Sequence, residues 1–99
     1  MTTIWGIVSA DGTPAAGSGY TVHKDAGAGL YDITFTTAFT TRPAVLVSQL
    51  FPNQPDSQGG DTRDNAVVVW TDKTYCRIVT GQYEGIHQNR DFSFLAVAD

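Results

Sequence analysis

Apolar residues recur at every second position in short runs along this chain, and no segment carries the three-to-four-residue spacing of an amphipathic helix. The runs are IWGIVS (4–9), YTVHK (20–24), LYDITFT (30–36), AVLVSQLF (44–51), AVVVWT (66–71), YCRIVTG (75–81) and FSFLAVA (92–98). Gly, Pro, Asp and Asn separate them, as expected for strands joined by turns. The segment ADGTPAAGSG (10–19) reads as turn material, with Asp11-Gly12 a tight-turn signal. Pro43 holds Arg42 extended ahead of the longest strand. About seven strands with frequent turn signals predict a single all-β domain over 1–99, a small antiparallel β-sandwich of six or seven strands.

Two connections are long and polar. PNQPDSQGGDTRDN (52–65) holds two prolines, two glycines and three aspartates without a large apolar residue. Loops of this length in compact domains are usually functional or disordered. QYEGIHQNRD (82–91) is the second.

Three runs are apolar on both faces. In the last, Phe92, Phe94 and Ala96 share one side and Leu95 and Val97 the other. In AVVVW, Val68 and Trp70 oppose Val67 and Val69; in AVLVSQLF, Val45, Val47 and Phe51 oppose Leu46 and Leu50. A sandwich buries one face of each sheet and leaves the other polar. Strands apolar on both faces therefore predict a second molecule over the outer face. Trp5 and Trp70 are read as core or interface anchors.

Composition narrows the function. Apolar residues make up 41% and charged residues 16%, the latter well below the usual roughly one quarter. Net charge is -4, from 6 basic and 10 acidic residues. The basic residues form no stripe, which argues against nucleic acid and against an anionic membrane surface. No run is long and apolar enough to span a bilayer. Met1-Thr-Thr leads straight into a strand with no signal-peptide pattern, so the expected setting is a cytoplasm, or a virion or extracellular fibre assembled from it. The single cysteine, Cys76, lies in an apolar run and reads as a small buried hydrophobe.

Candidate chemistry is sparse. Asp56, Asp61 and Asp64 lack EF-hand spacing and read as loop carboxylates rather than a calcium site. His23 and His87 lack the further nitrogen or sulfur ligands zinc requires. Glu84 and Asp91 form a glycosidase pair only if their separation suits it, which spacing does not fix. AGAG lies between two strands and opens no phosphate-binding helix. The expectation is no enzyme, no cofactor and no metal. What remains is Tyr83 with His87, Gln88, Asn89 and Arg90. An aromatic ring beside amide and guanidinium groups suits a sugar, whose apolar face stacks while its hydroxyls meet fixed donors and acceptors. With Asp61 and Asp64 of the neighbouring loop, these form the candidate ligand-binding set.

The run GIVSADGTPAAGSGYTVHKDAGAGLYDITFTTAFTTRPAVLVSQ resembles a repeated style of bacterial and phage domains, some near the tips of tail fibres. It shares their Gly-rich step, "YTV", the G-x-Y-x-I-T-F strand, the T-A-F bend and the P-A-V-x-V strand. The bend-Pro-strand order and the closing RDFSFLAVA also resemble the H-type lectin domain. That resemblance implies a small antiparallel sandwich, a homotrimer, and a sugar ligand of the N-acetylgalactosamine type. No sugar-contacting residue of those lectins maps onto these loops, and none is carried over. The expected function is a trimeric, non-enzymatic binding module, carbohydrate-binding or receptor-binding at a fibre tip. The alternative is a structural oligomerisation or capping domain without a small ligand.

Overall fold

A computed structural model describes the whole chain, residues 1–99. It holds eight strands and no helix: β1 (Thr2–Val8), β2 (Pro14–Gly17), β3 (Tyr20–Lys24), β4 (Leu30–Phe35), β5 (Ala44–Leu50), β6 (Asn65–Thr71), β7 (Tyr75–Gly81) and β8 (Asp91–Ala98). Two four-stranded antiparallel sheets form, in the orders β2-β1-β8-β5 and β3-β4-β7-β6. The sandwich is as expected, with one strand more. The extra element is β2, four residues on a sheet edge, where Pro14 is tolerated because an edge position spares its missing N–H.

Alternation decides what goes inside. Phe92, Phe94 and Ala96 of β8 face Tyr31, Ile33, Ile78 and Cys76 of the opposite sheet across a core that also takes Val8 and Phe35. The aromatic rings meet edge to face, Tyr20 on Phe94 and Tyr31 on Phe92, each with centroids 4.9 Å apart. Such pairs are worth about 0.5–1.5 kcal/mol beyond the area they bury. The same burial pushes the Cys76 thiol up to about 12, which keeps it protonated and unreactive.

The edges β5 and β6 lie against each other and are tied by side chains. Gln49 Nε2 donates to the carbonyls of Asn65 (2.6 Å) and Gly81 (2.8 Å). Further along, Thr71 Oγ1 donates to the Pro43 carbonyl and Arg42 Nε to that of Thr71.

The outer faces differ. The second sheet carries an Asp32–Arg77 ion pair at 2.8 Å between β4 and β7, together with Thr21, His23 and Thr34. The first sheet is uncharged over three successive cross-strand rows: Thr3–Val97–Ala44, Trp5–Leu95–Leu46 and Ile7–Ser93–Ser48. In the middle row Trp5 is 52%, Leu95 38% and Leu46 62% exposed. The two-faced pattern of β8 and β5 is thus present as read. In β6 the register shifts between Val68 and Trp70, so Trp70 pairs with Arg77. Trp70 therefore leaves the side occupied by Val68 and stands exposed with Val67 and Val69, a correction to strict alternation there. Neither tryptophan is a core residue.

Candidate functional site at the loop end

The pairings Val8 with Phe92, Leu50 with Asp91, Leu30 with Val79 and Asn65 with Gly81 put four connections at one end. These are residues 9–13, 25–29, 51–64 and 82–90. The other end holds only 18–19, 36–43 and 72–74. The two long polar loops are therefore neighbours.

Hydrogen bonds between the connections hold this end together. Asp91 at the start of β8 accepts from the Ala10 amide (2.7 Å) and from Asn53 Nδ2 (2.8 Å), tying it to the first and third loops. The Tyr31 hydroxyl donates to the Ala10 carbonyl at 2.7 Å. Asn89 Oδ1 accepts from the Gly29 amide at 2.7 Å, and Thr80 Oγ1 donates to the Gln88 carbonyl at 2.6 Å. Gly29 has φ of +72°, and a Cβ there would run into the Thr80 carbonyl, so this junction demands glycine.

The seven candidate residues fall into two groups. Arg90 and Asp64 are buried side by side, with Nη2 and Oδ1 4.0 Å apart. The Phe51 ring covers the Arg90 guanidinium at 3.4 Å. Arg90 thus stands beneath the loop rather than on it, and Asn89 is committed to Gly29. Tyr83, His87 and the Gln88 side chain remain exposed, with Asp61 at their edge.

Asp61 organises the exposed group through Arg63. The guanidinium grips the carboxylate with two bonds of 2.9 Å, Nε to Oδ1 and Nη2 to Oδ2. The Arg63 hydrogen bonds pull the Asp61 carboxyl down to about 2. The same guanidinium lies 5.3 Å from the centre of the Tyr83 ring, a cation–π contact that joins the two long loops. Tyr83 itself is 48% exposed. Beside it, Arg63, Asn65, Val67, Val79 and His87 line an open cleft of about 280 Å³. A larger hollow of about 550 Å³ lies along Gln49, Phe51, Pro52, Asn53 and Pro55.

No protein-family model matches the chain, and no curated protein or solved structure matches it significantly.

Arg63 and Phe51 are the two residues that sequence reasoning missed. Arg63 sits in DTRD, where spacing by two from Asp61 was the available signal; Phe51 gave none, because its partner Arg90 belongs to a distant segment. Glu84 is exposed in the 82–90 loop, and Asp91 already holds two hydrogen bonds. No group of three or more His, Cys, Asp or Glu side chains gathers closely enough to hold a metal ion. What the exposed arrangement offers is an aromatic surface, a fixed cation, an imidazole and amides around a shallow cleft. That is equipment for holding a polar ligand with one apolar face.

Proposed function

We propose that this protein is a non-enzymatic, self-associating binding module that presents its loop end to a carbohydrate, with three copies in the assembly. The observation that carries the reading is exposed Tyr83, braced by Arg63 beside the cleft that His87 lines. A ring with fixed orientation loses little entropy when a sugar stacks on it, and the guanidinium of Arg63, the imidazole of His87 and the Asn65 amide that line the cleft supply donors and acceptors for hydroxyls. The resemblance to H-type lectins supplies the threefold number and the ligand class.

Assembly and binding support one another. The uncharged rows of the first sheet run down the side of the sandwich, perpendicular to the loop end. Copies packed through that side about an axis along the strands point all their loop ends the same way. One shallow site binds weakly, and several linked sites raise the effective local concentration without new contacts.

A second reading, a purely structural oligomerisation domain, is favoured by the same exposed Trp5–Leu95–Leu46 row, which needs no ligand to explain it. A glycan array separates the two. Saturable retention of one sugar class by the wild type, lost in Tyr83→Ala with the assembly intact, supports the binding module. Silence from the wild type leaves the structural reading, and unchanged retention in Tyr83→Ala removes the site from this loop.

A further inference from the structure

The outer face of the first sheet carries a knob and a hole. The knob is Trp5 on β1, 52% exposed in a row of smaller side chains. The hole is a depression of about 290 Å³ over β5 and β8. The paired serines Ser48 and Ser93 form its floor and the paired leucines Leu46 and Leu95 its wall. It exists because two small residues lie directly opposite each other beside two large ones. β8, the middle strand of the three, joins them: its Leu95 pairs with Trp5 and is also part of the wall of the hole.

We propose that Trp5 of one copy seats in the Leu46–Ser48–Ser93–Leu95 depression of the next. The inference rests on the self-association reading above and specifies its contact. A rotation about an axis along the strands brings the β1 side of one copy against the β5 side of its neighbour and changes no height. Trp5 and the leucine wall lie in one row, and the serine floor lies in the next row, roughly 6.8 Å along the strand. An indole spans that step. Leu95 of each copy then lines the axis.

Three features point to a second copy of this chain as the occupant. Knob and hole stand on one face, with the leucine wall in the row of Trp5 and the serine floor one row along. None of the nine residues in the three rows is charged, so closing this contact strands no ion. β1, β8 and β5 pair over seven residues each, a face of roughly 14 Å by 24 Å, six of whose nine outward residues are apolar, on the scale of the patches that are often interaction sites on monomers. A knob that fills a hole elsewhere on an identical molecule makes a heterologous contact, and rotation closes such contacts into a ring.

Two measurements test the pairing. In a Trp70→Phe background Trp5 is the sole tryptophan, and its emission should move to shorter wavelength as concentration drives association. Trp5→Ala removes the knob, and Ser48→Phe fills the hole. Each should raise the dissociation constant at least about thirtyfold, the scale of a central aromatic anchor. At concentrations where each variant alone is monomeric, an equimolar mixture should form one-to-one pairs, because one variant keeps the hole and the other the knob. Circular dichroism checks that both are folded; if Trp5→Ala is not, the emission shift and Ser48→Phe carry the test. A wild-type assembly with Trp5→Ala undiminished, a concentration-independent emission, or a mixture that stays monomeric overturns the pairing alone. A monomeric wild type overturns the assembly reading with it.

Discussion

Gly6 is the residue on which the packing of the first sheet turns. It sits in β1 opposite Gly17 and Phe94, and a Cβ there would run into the Tyr20 ring. That ring lies edge-on to Phe94 and donates its hydroxyl to the Ala16 carbonyl at 2.7 Å, so it has nowhere to retreat. Gly6→Ala should therefore destabilise by about 1–3 kcal/mol, the usual range for overpacking. For a chain of this size each kcal/mol lowers the midpoint of thermal unfolding by roughly 4–8 °C. An unchanged midpoint would show that Tyr20 is free to move. The sequence announces part of this, since a glycine inside an apolar strand marks a close approach. It does not name Tyr20, because the contact depends on how the two sheets stack. Arg90 was opaque for the same reason: polar neighbours placed it on the surface, and Phe51 from a distant segment covers it.

Among the elements, strands whose alternation is regular were legible and the short or irregular ones were not. β8 and, as far as Leu50, β5 read correctly on both faces because a period of two assigns each side chain to a side without knowledge of the partner. Phe51, read on the side of Val45 and Val47, lies past the strand and covers Arg90 instead. β2 was hidden by Pro14 and Gly17, which on an edge do not prevent pairing. The shift in β6 was hidden because three successive valines look alike at any register. The turn after β6 explains where Trp70 goes. Asp72 accepts from the Thr74 amide (2.8 Å), the Thr74 hydroxyl, the Tyr75 amide and, at 3.1 Å, the Trp70 indole N–H. The Thr74 amide first, then the indole, hold its carboxyl down at about 2. A carboxyl that ionises at lower pH in the folded than in the unfolded state, where about 3.9 is usual, adds stability above that value. This contribution is lost as pH falls through about 2. Thermal melts of wild type and Asp72→Asn should thus differ most near neutrality and converge between pH 4 and 2. Parallel curves across that window would remove Asp72 from the account.

At the scale of the whole molecule, two surfaces stand at right angles: a loop end tied by hydrogen bonds between its connections, and an uncharged side wall on one sheet only. The two-faced apolar pattern marked β8 and β5 of the wall in advance, whereas β6, with the same pattern, lies in the other sheet and β1 was not marked. The alignment of the wall into rows was not legible, because register is set by pairing between β1, β8 and β5, which are far apart in the chain. A joint site on the two long loops requires that they share one end of the sandwich, and the strand directions place them there. Further copies of the chain covering this wall would raise the mass in solution. Sedimentation equilibrium at micromolar concentration tests it most directly. A mass about three times the 10.6 kDa chain is expected; a single species at the chain mass would show the wall to be open to solvent.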